Sequence, residues 1–191
     1  DELLRYAVEL SSVHEAMDIT DANLFDAFIE ETYRIAAMGI TGFDSQTAQH
    51  SIPECAAALE GLLHFISFYQ SLFEEKSPGT YQRLQTLFND AVQYINKNNH
   101  FNRFDRLTFI TTYLNPITKI IGDFKIMNNW SDNKSALYLS AIRKNGTLFD
   151  PGAFNVSRFL GDFTNTPQKV EFGRQLFFEP RLSSNNKQSC A

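Results

Sequence analysis

The sequence predicts an all-α fold: an antiparallel helical bundle followed by a loop-rich C-terminal connector. Three observations point there. Apolar residues recur at three- and four-residue steps through most of residues 1–130. Helix start and stop residues bracket those stretches, as Ser51 and Pro53 do at one end of a segment and Ser77-Pro78-Gly79 at the other. Asn, Asp, Gly and Pro then crowd residues 130–170.

The bulk numbers set the bounds. A chain of 191 residues, 43% of them hydrophobic, can bury a core without staples and is not a disordered composition. The net charge of −5 excludes the basic face that general nucleic-acid binding needs. The longest apolar-rich stretch, Gly61–Tyr69, is too short to span a membrane and contains His64 and Ser67. Two cysteines, Cys55 and Cys190, do not make a disulfide framework, and no bridge between them is expected.

Taken in order, residues 4–17 form the weakest helix candidate. Residues 21–40 carry acids early, as the helix dipole favours, and a glycine at the end. Residues 51–76 place Ile52, Cys55, Leu59, Leu62, Ile66, Tyr69 and Phe73 on one face, with Ser51 expected as N-cap. Residues 80–99 do the same with Tyr81, Leu84, Leu87, Phe88, Ala91, Val92 and Ile95. In residues 102–128, Pro116 should break or kink the helix near Leu114. The β-branched and aromatic content of some segments keeps strand as a minor alternative. Within the connector only residues 135–144 look helical. No internal repeat is present. The domain reading is therefore a bundle over 1–130, a connector over 131–170 with a short helix, and a separate stretch over 171–191. The 18 phenylalanines are read mainly as core filling.

The last stretch is the most specific. Phe172, Gly173, Leu176, Phe177, Phe178, Glu179, Pro180, Leu182, Ser183, Ser189, Cys190 and Ala191 fall in order. This pattern resembles the approach to the first haem of bacterial di-haem cytochrome c peroxidases and their MauG-like relatives. In that family the pattern continues Ser-Cys-Ala-x-Cys-His. Residues 146–155 also resemble a lead-in segment of long family members. The likeness covers residues 146–191, about a quarter of the chain. It implies that Cys190 is the first cysteine of a c-type haem attachment motif cut short here, with the second cysteine and the axial histidine beyond it. It implies a periplasmic parent with two covalent haems that reduces hydrogen peroxide with electrons from a donor cytochrome or copper protein. The partners so implied are the catalytic haem domains of the same parent chain and that donor. By analogy of position alone, Phe177 and Arg181 pack near the first haem.

Residues 1–191 hold no catalytic group of that chemistry, so the fragment itself is expected to carry no peroxidase activity and no haem. Cys55 lacks a second cysteine and a following histidine, which makes the bundle a haem-free extension. Cut from its haem domain, the apolar part of residues 171–191 must bury elsewhere, pair with another copy or stay mobile.

Other candidates have plainer readings. His14, His50, His64 and His100 are scattered, and Glu60 with His64 at i,i+4 reads first as a surface pair, then as a metal ligand set. The His-x-x-Glu arrangement of imelysin-like helical proteins is not met by His14–Glu15 or Glu60–His64. Met17, Met38 and Met127 read as core before axial ligands. Trp130 reads as a cap over the bundle end before an electron relay. Asn129, Asn133, Asn145 and Asn155 begin glycosylation-type triplets that fall in Asn-rich loops. The acids of residues 26–31 read as solvated. Two rival functions remain open: an independent helical binding or sensing module, and a metal-binding bundle.

Overall fold

The computed structural model of the chain describes residues 4, 5, 8, 19–48, 50–130, 146–150, 153, 154 and 166–190. The helix expected over 135–144 and most of that over 4–17 lie outside them, as do His14, Met17, Asn133, Asn145 and Asn155. Leu4, Arg5 and Val8 are helical. The described residues fall into two compact units, one ending at Ala153 and one starting at Phe154. The fold is all-α, with no strand among the described residues.

The first unit contains α1 (Asp21–Arg34), α2 (Ser51–Ser67), α3 (Gln70–Lys76), α4 (Thr80–Lys97), α5 (Arg106–Phe109) and α6 (Asn115–Met127). Helix α1 packs along α6, α6 along α4, and α4 along α2, while the turn after α1 returns to α2. Four helices thus enclose one core. Pairing order gives direction: Asp26 meets Lys125 whereas Thr32, further along α1, meets Thr118, earlier in α6. The two helices are antiparallel, as expected.

Local chemistry sets each boundary. Thr20 and Asn23 form a reciprocal capping box at α1, the Thr20 Oγ1 accepting the Asn23 N–H at 3.3 Å and Asn23 Oδ1 accepting the Thr20 N–H at 3.1 Å. Gly79, at φ 77°, closes the turn between α3 and α4. At the end of α6, Asn129 adopts φ 56°, its N–H reaches the Ile126 carbonyl, and the Trp130 N–H reaches that of Lys125. This is a Schellman motif, and it turns the Trp130 ring back over the bundle end, where it meets Phe25 at 4.8 Å and Phe124 at 6.0 Å. The capping role expected of Trp130 is met.

Two expectations need correction, and a third is refined. Ser51 is not an N-cap: it is buried inside the first turn, and its Oγ has no hydrogen-bond partner. The single helix over 51–76 is interrupted at Phe68–Tyr69, which lets Tyr69 turn its hydroxyl to Asp21 at 2.6 Å. The disturbance expected of Pro116 near Leu114 is present as a widened turn, not as a break. Residues Ile110–Leu114 form a π turn between α5 and α6, with the Asn115 N–H bonded to the Ile110 carbonyl. Proline supplies no N–H, and its ring would crowd the carbonyl four residues back. The wider turn accommodates the ring while the helical backbone runs on.

A second π turn, Ile35–Gly39, follows α1. A Cβ at Gly39 would lie 2.5 Å from Cys55 Sγ, so glycine is what lets α2 approach. Arg106 stitches the same end of the bundle. Its Nε donates to the Ile40 carbonyl at 2.7 Å, its terminal nitrogens to the carbonyls of Phe104 and Phe101, and its guanidinium lies 4.6 Å over the Phe101 ring.

An ion pair is buried in the core. Lys125 Nζ lies 2.6 Å from Asp26 Oδ1, with the side chains 3% and 2% exposed, and Asp26 Oδ2 has no hydrogen-bond partner. The acids of residues 26–31 are therefore not all solvated. About two turns away, Thr118 Oγ1 donates to Thr32 Oγ1 at 2.8 Å, and Thr32 in turn donates to the Ile29 carbonyl.

Asp26→Ala should cost about 3–5 kcal/mol, because it removes the carboxylate in contact with a buried ammonium. Asp26→Leu with Lys125→Met should recover most of that. Urea unfolding of the three proteins tests the claim, and a double variant as unstable as the single one refutes it. Gly39→Ala should cost about 1–3 kcal/mol through overpacking, and the penalty should shrink by at least half in a Cys55→Ala background.

Candidate functional site

The second unit is built on α7 (Pro167–Phe177). Thr166 caps it through a bond from the Lys169 N–H, and Pro167 occupies the first turn, where its missing N–H is not needed. Glu171 pairs with Arg174 at 2.7 Å along one side. No residue of α7 is buried. Val170, Phe172, Phe177 and Phe178, with Leu182 beyond, are each about half exposed or more.

After α7 the chain folds back on itself. A short 3-10 turn, Pro180–Leu182, is capped by Glu179, whose carboxylate accepts the Arg181 N–H at 3.0 Å and its guanidinium at 2.7 and 2.6 Å. Those bonds hold the Glu179 carboxyl down to about 2. Ser183 is the next fixed point. Its Oγ accepts the N–H groups of Lys187 and Gln188, each at 3.2 Å, and donates to the Pro180 carbonyl at 2.7 Å. Asn185 Oδ1 accepts the Lys187 N–H at 3.0 Å, and Asn186 takes a left-handed φ of 55°. The loop then closes where the Cys190 N–H meets the Phe177 carbonyl at 3.0 Å. Residues 178–190 thus form an omega-type loop on the end of α7. At its mouth stands Cys190, a free and exposed thiol.

The residues present fit one part of c-type haem attachment. Cys190 offers an accessible sulfur at the end of a loop that starts from two half-exposed aromatic residues, Phe177 and Phe178. Residues 167–191 contain no His or Met, so they supply no axial ligand of those types to an iron. Among the described residues no group of three or more His, Cys, Asp or Glu could hold a metal ion. Phe177 is the last residue of α7, and Arg181 lies in the 3-10 turn of the loop.

The bundle brings none of the other candidates together. His64 is exposed and meets Phe65 and Phe68 edge-on at 5.9 and 5.3 Å instead of pairing with Glu60. Met38 and Met127 are not core residues, being 37% and 47% exposed. Asn129 is the left-handed residue of the α6 cap. Cys55 is buried against Gly39, and its thiol is pushed up to about 12, chiefly by burial and against the opposing charge of Arg34. Sequence reasoning missed the Asp26–Lys125 pair, although Asp26 lies one residue from Phe25 on the apolar side of α1. It also missed the fastening role of Ser183.

The two thiols should differ sharply. Cys190 should react with a thiol reagent at once in the folded protein, and Cys55 only on unfolding. The pH dependence follows from the same burial. Below the ordinary 9.0 both folded and unfolded states keep the Cys55 proton. Between there and about 12 the unfolded chain releases it and the folded chain holds it, so stability falls as pH rises. Cys55→Ala should flatten the loss of stability above pH 9 in denaturant titrations.

A model of the di-haem cytochrome c peroxidase family matches residues 167–191. The match begins at the first residue of α7 and takes in the whole loop to Cys190. Searches of curated proteins and of solved structures return no match to the chain. No helix among the described residues is long and apolar enough to cross a membrane.

Proposed function

We propose that the chain is the front part of a periplasmic di-haem cytochrome c peroxidase and that Cys190 is the first thioether anchor of its first haem. The family match over residues 167–191 carries this reading. The accessible thiol and the uncovered apolar side chains of α7 support it. In the attachment step the Cys190 S–H adds across a vinyl group. A carbon–sulfur bond forms, the hydrogen goes to the neighbouring vinyl carbon, and no electrons are gained or lost. Haem bound in this way supplies a redox-active iron that reduces peroxide to water with donor electrons. Leu176, Phe177 and Leu182 would offer apolar cover beside the anchor, and the Glu179–Arg181 pair would keep the 3-10 turn in shape next to it.

The bundle in this reading is a haem-free module that docks on the catalytic domains of the same chain or on an electron-donor cytochrome or copper protein. Its own closed core and the position of the family match outside it favour a separate role. That same separateness is what an independent helical binding module would show.

The natural gene product, made in a periplasm that matures c-type cytochromes, tests the proposal. Mass spectrometry of the proteolytic peptide carrying Cys190 should find haem on that cysteine, and a pyridine haemochrome assay should give two haems per chain. Cys190 recovered as a free thiol would overturn the assignment and leave the binding module.

A further inference from the structure

We infer that Ser183 is a positioning residue for haem attachment: its hydroxyl closes the 178–190 loop and fixes Cys190 before any haem arrives. The inference rests on the attachment role proposed for Cys190. It starts from an imbalance in the loop. Residues 183–190 have no buried side chain and no regular secondary structure. Such a segment has little to offset its conformational entropy except its hydrogen bonds. Those bonds converge on one atom. Ser183 Oγ takes the N–H groups of Lys187 and Gln188 and gives its own hydrogen to the Pro180 carbonyl. It thereby ties the outgoing strand of the loop to the capped 3-10 turn at its start. The Asn185 bond to the Lys187 N–H and the Asn186 N–H bond to the Ser183 carbonyl complete the fastening. Two residues beyond Gln188 comes Cys190, whose N–H closes on the Phe177 carbonyl. A sulfur held at one place relative to the α7 aromatic rings loses less freedom on bonding than a sulfur on a loose tail.

Three proteins test this: the unsubstituted chain, Ser183→Ala and Ser183→Thr. In the haem-free chain, amide hydrogen exchange at Lys187, Gln188 and Cys190 should quicken at least tenfold in Ser183→Ala and return to within threefold in Ser183→Thr, which restores the hydroxyl. Circular dichroism should be unchanged, since α7 and the bundle do not use Ser183. In the natural gene product, the fraction of Cys190 peptide carrying haem should fall at least threefold in Ser183→Ala and recover in Ser183→Thr. Exchange at Cys190 that is equal in all three proteins would overturn the fastening. Faster exchange with full haem loading would overturn the positioning role while leaving Cys190 as an anchor. A Cys190 peptide without haem in the unsubstituted protein would sink the attachment reading itself, and the positioning role with it, whatever the exchange rates show.

Discussion

A lysine and an aspartate buried against each other hold the first and last helices of the bundle in register. Removing both charges from water costs several kcal/mol per ion, and their attraction offsets that only at contact. Lys125 and Asp26 are at contact, 2.6 Å apart, and almost fully enclosed. The pair therefore adds little to net stability compared with an apolar substitute. What it does is penalise alternatives. Sliding α6 by a turn along α1 would leave two buried charges apart, at a cost no rearrangement of phenylalanines could match. The threonine pair Thr32–Thr118 repeats the constraint two turns away with neutral groups.

That constraint matters because the surrounding core is permissive. Phe25 touches Phe28, Tyr69, Phe73, Phe124 and Trp130, and the Phe73 and Phe124 rings stack at 3.6 Å. Flat rings pack well in many arrangements, so aromatic filling supplies area more readily than it supplies a unique fit. The opposite end has a similar cluster, with Tyr94 against Phe104, Phe109 and Tyr113. Polar groups with defined partners, the ion pair towards the Trp130 end and the three-carbonyl grip of Arg106 at the Phe101 end, select one arrangement from many.

Helix existence was legible in the sequence, and helix irregularity only in part. The face running through Leu84, Phe88, Ala91 and Ile95 is buried because its spacing matches one helical stripe. Pro116 announced a disturbance, but whether a helix breaks or widens depends on what packs on either side, and periodicity does not carry that. The Gly39 contact was illegible because it depends on a cysteine in another helix. Asp26 was misread because a carboxylate is usually solvated, and only Lys125, far along the chain, makes its burial tolerable. At the site, the residues around Cys190 were recognisable in order from sequence. The bonds of Ser183 were not, since they depend on loop backbone.

The two units solve the problem of order differently, and the difference bears on function. The bundle is held by area: a core that includes Phe25, Phe73, Phe88 and Phe124 is fully enclosed, and its polar contacts refine the register. The α7 unit has no buried residue in its helix and keeps its phenylalanines half exposed or more, so it is held by caps, the ion pairs Glu171–Arg174 and Glu179–Arg181, and one serine. A surface of phenylalanines and leucines left open in this way is stable only against a partner that covers it. On the proposed reading, a porphyrin bonded through Cys190 would bring a flat, largely apolar face to the end of α7. It would turn α7 from a helix with an outside but no inside into one wall of a core. On this view the hydrogen-bonded loop serves the interval before that core exists, when bonding alone must keep the thiol and the rings together.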